Sequence, residues 1–313
     1  MRLWVLFLSL FLVACGPSPV DRINVGLNVW PGYAPLYLAE DLGYLNKSKV
    51  RLTILPSASE VMHAVRTGVL DAAALTLDET LSLIDDGYDL TVVLIFDYSH
   101  GGDVLLAKPY IESLATLKGR SIAVENTAVG ALLLQSALEK AQLRFSDIDM
   151  QVCGFGQHIA CYENADAIVT FEPVKSHLIR QGAVSLFDSS SIPDTIVDVL
   201  VVNNTTMALA EKPVQHLIDA YFRARQFMRD QPDEAMAIIG ERLSLNSSDM
   251  DVIYSGIEIP ERDDMIIKLS GKPSPLETTA SSLAQFMYEN KLIKSPLKIN
   301  QLTSDNFVIM REE

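Results

Sequence analysis

The sequence predicts an α/β fold. Short apolar strands alternate with helical segments from residue 23 to about residue 202, Gly- and Pro-containing stops punctuate them, and residues 211–290 read as almost wholly helical. Of the 313 residues, 49% are apolar and 21% charged, which excludes disorder and a low-complexity chain. A chain of this length usually divides into two domains around separate cores. Three cysteines cannot staple so long a body. The net charge of −15, from 40 acids against 25 bases, leaves no basic footprint for nucleic acid.

Taken in order, residues 23–29 (INVGLNV) alternate into a Pro-Gly turn, and 35–42 (PLYLAEDL) read as a helix opened by Pro35. A strand at 50–55 ends at Pro56, and Ser57 and Ser59 suit the N-cap of a helix at 60–67. A short buried strand at 71–76 precedes a helix at 78–86 closed by Gly87, and strands follow at 90–97 and 103–107. The second half repeats the scheme: strand 120–125 and helix 129–141, strand 149–153 and a short helix, strand 166–170 and helix 172–181, then strand 195–202. Such alternation implies helical layers around mainly parallel sheets.

The first residues form a separate unit. Arg2 precedes twelve residues, LWVLFLSLFLVA, that are apolar except for Ser9. Twelve residues fall short of the roughly twenty that span a bilayer but match the apolar region of a signal peptide. The run ends in Leu12-Val13-Ala14-Cys15, which resembles the lipobox of bacterial lipoproteins, where the cysteine is lipidated and becomes the mature N-terminus. On this reading residues 1–14 are removed, 15–21 form a tether, and the protein works in the periplasm or at the cell surface, anchored to a membrane through Cys15. The alternative is a cleaved signal with an incidental cysteine.

Cys153 and Cys161 lie eight residues apart with His158 between them. Two small buried residues is the reading favoured by the strand that holds Cys153. Export also permits a disulfide, whereas the spacing matches no closed zinc pattern. Catalytic signatures are missing: there is no G-x-S-x-G elbow, H-E-x-x-H or phosphate-binding loop. One internal correspondence stands out. His63 to Asp71 is followed by AAALT, Leu77 and Asp78; His158 to Asp166 is followed by AIVT, Phe171 and Glu172. It suggests two equivalent strand-to-helix turns in two lobes, and ligands of open α/β sheets sit at such turns. Asp78 and Glu172 read either as caps favoured by the helix dipole or as ligand contacts.

Asn28 to Ala39 (NVWPGYAPLYLA) and Asp41 to Leu45 resemble the opening of substrate-binding proteins of nitrate/sulfonate/taurine-type ABC importers, a family that includes thiamine-pyrimidine-synthase-like proteins. Gly68 to Glu79, Asp97 to Asp103, Leu117 to Val124 and Val169 to Pro173 fit the same family. The resemblance implies a type 2 periplasmic-binding-protein fold: two α/β lobes, two chain crossings near 104–110 and 196–203, and a ligand in the cleft between them. Lobe one would be residues 22–107 plus 204–313, and lobe two 108–200.

The implied function is capture of a small polar molecule and its delivery to an ABC permease in the inner membrane, by a monomer without catalysis or cofactor. Two further classes compete with it. One is a ligand-sensing accessory lipoprotein. The other is a pyrimidine-synthase-like enzyme, although that branch's cysteine- and histidine-rich iron-binding motif is missing. Cleft candidates are strand ends and the turns after them: Trp30, Gly32, Tyr33, Ser57, Ser59, Thr76, Asp78, Asp97, Tyr98, Asn126, Thr127, Gly130 and Glu172. No lysine or arginine occupies these turns, which disfavours a small oxyanion such as nitrate. A sulfonate could be held by hydroxyls and helix starts, while Asp78, Asp97 and Glu172 leave room for an amine or an aminopyrimidine.

Overall fold

The computed structural model describes residues 20–309, apart from 244 and 246. The expected signal segment and Cys15 lie outside the described residues. Within the expected tether, the Val20 amide donates to the Leu209 carbonyl at 2.9 Å.

The chain opens with β1 (Ile23–Asn28), α1 (Ala34–Asp41), β2 (Val50–Leu55), α2 (Ala58–Arg66), β3 (Ala72–Thr76), α3 (Leu77–Asp85) and β4 (Leu90–Ser99). The middle third comprises β5 (Asp103–Ala107), β6 (Ser121–Val124), α4 (Ala128–Lys140), β7 (Asp149–Val152), α5 (His158–Asn164), β8 (Ala167–Phe171), α6 (Val174–Arg180) and β9 (Val184–Asp188). The chain then returns through β10 (Val197–Asn203) to α7 (Asn204–Leu209), α8 (Glu211–Asp230), α9 (Pro232–Leu243), α10 (Ser247–Tyr254), β11 (Ile257–Glu258), α11 (Arg262–Leu269) and α12 (Pro275–Glu289).

Two sheets result, with strand orders β11-β4-β10-β3-β1-β2 and β7-β6-β8-β5-β9. Because β5 belongs to the second sheet and β10 to the first, the chain passes between them at 100–102 and 189–196. Both passages come earlier than the expected 104–110 and 196–203. The expectation of mainly parallel sheets is also corrected. β10 runs antiparallel to β3 and β4, and β5 antiparallel to β8 and β9. The reason is geometric: β4 leaves the first sheet at the edge where β10 re-enters it, so the returning strand must run the opposite way. The carboxyl ends of β1–β4 and β6–β9 therefore meet at one cleft, together with the first residues of β5 and β10.

The internal correspondence is real in three dimensions. The Asp71 carboxylate accepts from the Asn24 backbone N–H (2.8 Å) and side-chain amide (3.1 Å), while the Asp71 N–H donates to the Asn24 carbonyl. In the second sheet Asp166 does the same at Ser121, at 2.9 Å to the N–H and 3.1 Å to the hydroxyl, again with the reciprocal backbone bond. Each aspartate thus ties the start of its strand to the parallel neighbour, β3 to β1 and β8 to β6.

Buried side chains of the first sheet merge with those of α1, α8 and the C-terminal helices into one core. The second sheet has a core on each face, one under α4 and the other holding Cys153, Tyr162 and Leu178. Cys153 and Cys161 are joined by a disulfide with Cα atoms 6.4 Å apart, which corrects the preference for two free buried cysteines. The partly exposed edge strand β9 was not expected, and β11 interrupts the helical tail by pairing with β4. No described helix is long and apolar enough to cross a membrane.

Candidate functional site

A cavity of about 70 Å³ lies between the sheets. The first sheet and its turns contribute Asn28, Trp30, Tyr33, Ala58, Thr76, Asp78, Glu79 and Asp198. The second contributes Asp103, Glu125, Thr127, Val129, Gly130, His158, Val169 and Phe171, and Ile196 comes from the second crossing. One wall is aromatic: the Trp30 ring meets Phe171 edge-on at 6.1 Å, and His158 meets the same phenylalanine at 5.8 Å.

Hydrogen bonds fix the polar side chains. Trp30 Nε1 donates to the Asp97 carboxylate at 3.1 Å, behind the cavity wall, and the Tyr33 hydroxyl donates to Asp198 Oδ1. Asp198 sits second on β10, opposite Thr76 of β3 and Asp97 of β4. Gly32 is required beneath this pair, since a Cβ there would fall 1.8 Å from Asp97 Oδ2. Glu79 accepts from the Thr76 N–H at 2.9 Å and so caps α3. His158 Nδ1 lies 3.0 Å from the Thr170 hydroxyl.

Asp78 reaches across the cleft. Its Oδ1 accepts from the Thr76 hydroxyl at 2.5 Å, and its Oδ2 accepts from the Ala128 and Val129 N–H groups at 3.0 and 3.2 Å. Those are the first two amides of α4, whose third, at Gly130, is satisfied by Thr127 Oγ1 at 3.1 Å. A carboxylate from one sheet therefore caps a helix packed on the other.

Burial dominates the electrostatics. It pushes the Asp97 carboxyl up to about 8 against the pull of the Trp30 N–H, with Asp103 adding to the rise. Asp103 is pushed up to about 6 by burial, offset by its bond with Ser99 and reinforced by Asp78. Burial and the neighbouring Asp97 raise Asp198 well above the carboxylate range; burial and Asp78 do the same to Glu79. Asp78 is also raised by burial, but its hydroxyl and amide donors oppose the rise. Burial lowers His158 to about 4, so its imidazole is neutral at physiological pH. No group of His, Cys, Asp and Glu suited to a metal occurs among the described residues.

Of the residues singled out from sequence, Trp30, Tyr33, Thr76, Asp78, Thr127 and Gly130 line the cavity, with Gly32 and Asp97 directly behind Trp30. The others lie elsewhere for identifiable reasons. Ser57 caps α2 through the Glu60 N–H. Ser59 and Asn126 line a separate open groove with Met62, Arg66 and Asp86. Tyr98 points toward α11, where Lys268 lies over its ring at 5.6 Å. Glu172 is fully buried, caps α6 by accepting from the Ser176 N–H at 3.1 Å, and pairs with Lys175 at 3.3 Å. It does not line the cavity opposite Asp78. Missed from sequence were Asn28, Glu79, Asp103, Glu125, His158, Phe171 and Asp198. A lone acid inside the apolar run TIVDVLVV was the available signal for Asp198, because an acid in a buried strand needs a reason to be there.

Two sheets facing each other across a cavity, joined by two crossings, define the periplasmic-binding-protein fold. The chain belongs to the NMT1/THI5 like family, whose pattern matches residues 30–235. It is 25% identical over 311 residues, 95% of this chain and 92% of the relative, to an Escherichia coli (strain K12) protein named for aliphatic sulfonates binding. It superposes on the crystal structure of the periplasmic aliphatic sulphonate binding protein of Escherichia coli with TM-score 0.76, at 20% identity, covering 94% of this chain and 99% of that one. The alkanesulfonate-binding protein of Xanthomonas axonopodis pv. citri, bound to MOPS, superposes with TM-score 0.74 at 16% identity over 90% of this chain and 98% of that one. A desulfurization enzyme shares the fold, with TM-score 0.68 at 17% identity over 92% of this chain and 98% of the enzyme.

Proposed function

We propose that this chain is the solute receptor of an ABC importer. It captures a small polar molecule between its lobes and hands it to a permease in the inner membrane. The observation that carries the reading is the cavity itself, set where the strand ends of both sheets converge and lined from both lobes. Sheet membership supports residues 20–99 with 197–309 as one lobe and 103–188 as the other. The relatives named for sulfonate binding support a receptor role. The protein acts outside the cytoplasmic membrane as a monomer, held there by lipid on Cys15.

The test is mass spectrometry of solute released when protein purified from its own cells is denatured. A small molecule at about one per chain is the expected result; no released solute and no binding of any solute in calorimetry would overturn the reading. Anchoring is tested separately by Cys15→Ser, which is expected to leave the membrane fraction or remain unprocessed.

A further inference from the structure

We propose that the groove between α8 and the start of α11 is an anion site, separate from the cleft, for a solute carrying a multiply charged oxyanion of the phosphate type.

The groove has a volume of about 410 Å³ and shares no lining residue with the cleft cavity. Residues three, four and seven apart share a helix face, so Asp219, Phe222, Arg223 and Arg229 line it together from α8. Arg225 lines it as well, and Glu261 and Arg262 close it from the α11 side. Four arginines thus meet two acids, in a chain whose acids outnumber its bases 40 to 25.

Internal pairing does not cancel this excess. Glu261 is shared, its Oε1 accepting from Arg225 at 3.2 Å and its Oε2 from Arg229 at 3.1 Å. The Asp219 carboxylate accepts from the Gln215 amide at 2.9 Å. Arg223 and Arg262 rest on aromatic rings instead of carboxylates, 3.8 Å from the Tyr44 centroid and 3.7 Å from that of Phe222. Arg225 is only 7% exposed; one of its nitrogens serves Glu261, while its buried Nη1 completes no hydrogen bond among the described residues.

These features suit an oxyanion with more than one charge. A guanidinium lying flat on a ring keeps its N–H edge available, and that edge matches two oxygens of one phosphate. Burial works against the charge of Arg262, which Asp219 and Asp263 only partly offset, so a bound anion relieves it. No side chain caps the start of α11, and its first N–H groups add donors beside Arg262. The negative charge of the whole chain does not erase the local excess, because exposed charges beyond about 8 Å are screened at physiological salt. A lipid headgroup diester carries a single charge and would leave one of the two excess positive charges unmatched.

Calorimetric titration with inorganic pyrophosphate at fixed ionic strength tests the site. Binding at about one per chain is expected, and glycerophosphoglycerol, a singly charged headgroup diester, is expected to bind about tenfold more weakly. Arg223→Gln combined with Arg262→Gln is expected to weaken pyrophosphate by about tenfold or more, with the melting temperature of the empty variant reporting that it is folded. If that double variant does not fold, Arg223→Gln alone, at an exposed position, carries the comparison with the same expected direction. No binding of pyrophosphate overturns the proposal. So does unchanged affinity in a folded variant, which would put the anion elsewhere on the molecule, or a diester that binds as tightly as pyrophosphate. None of these results bears on the cleft, so the receptor reading stands or falls by its own test.

Discussion

Asp97, Asp103 and Asp198 cluster where β4, β5 and β10 meet the cleft, each buried and each raising the cost of ionising its neighbours. The Asp97 carboxyl, raised to about 8, is protonated in the folded protein at pH 6 but ionised in the unfolded chain. The folded state then holds more protons, so stability is fully present below the ordinary aspartate range and is lost as pH rises through about 8. The empty protein is therefore expected to melt at a higher temperature at pH 5.5 than at pH 8.5. Asp97→Asn, which keeps an acceptor for Trp30 Nε1, is expected to remove much of that difference. Thermal melts across this pH range check it, and an undiminished pH dependence in the variant would count against the assignment to Asp97. These acids also mark the limit of the sequence reading. Trp30 and Asp78 follow the carboxyl ends of β1 and β3, where parallel sheets place their ligands. Asp103 and Asp198 stand at the first residues of the two strands that run backwards, and nothing local in the sequence announces that reversal.

At the level of elements, the sequence correspondence between 63–78 and 158–172 was legible because a shared local structure enforces it. Asp71 and Asp166 each close the same strand-start bracket: one carboxylate oxygen, one residue before the strand, accepts from both the backbone N–H and the side-chain donor across the parallel pair. Asp71→Ala and Asp166→Ala are each expected to lower stability by about 1–3 kcal/mol, since each leaves donors at a strand start unsatisfied. Denaturant titration checks this, and a loss well under that range at both positions would show that water replaces the carboxylate without cost. The same correspondence misled at its far end. Thr76-Leu77-Asp78 and Thr170-Phe171-Glu172 are alike in pattern, yet Asp78 crosses to α4 while Glu172 turns back onto α6. A capping acid and a cleft-facing acid look identical in sequence, because both stand at a helix start; what separates them is which helix lies within reach. Ser57 illustrates the same ambiguity, its hydroxyl being a plain cap for α2.

For the whole molecule, the two crossings are bonded to each other and are expected to act as one hinge. The Ser189 hydroxyl accepts from the Gly101 N–H at 2.6 Å and lies 2.8 Å from the Ser99 hydroxyl, while the Ser99 N–H donates to the Ile196 carbonyl at 3.0 Å. Lobes joined this way are expected to move by rotation about the pinned crossings rather than by sliding. The Ala128 and Val129 N–H groups donate to Asp78 across the cleft, and these bonds are expected to favour closure even without cargo. Hydrogen bonds to a charged group are worth about 1.5–3 kcal/mol each when buried. Two of them shift a two-state opening equilibrium by more than tenfold. Small-angle scattering on the empty protein is therefore expected to give a larger radius of gyration for Asp78→Ala than for the wild type. Ser189→Ala is expected to weaken the hinge and lower the melting temperature while leaving the empty wild-type radius nearly unchanged. Equal radii for the wild type and Asp78→Ala would show that the lobes are held by the hinge and the surrounding packing alone, and that Asp78 caps α4 without latching the cleft.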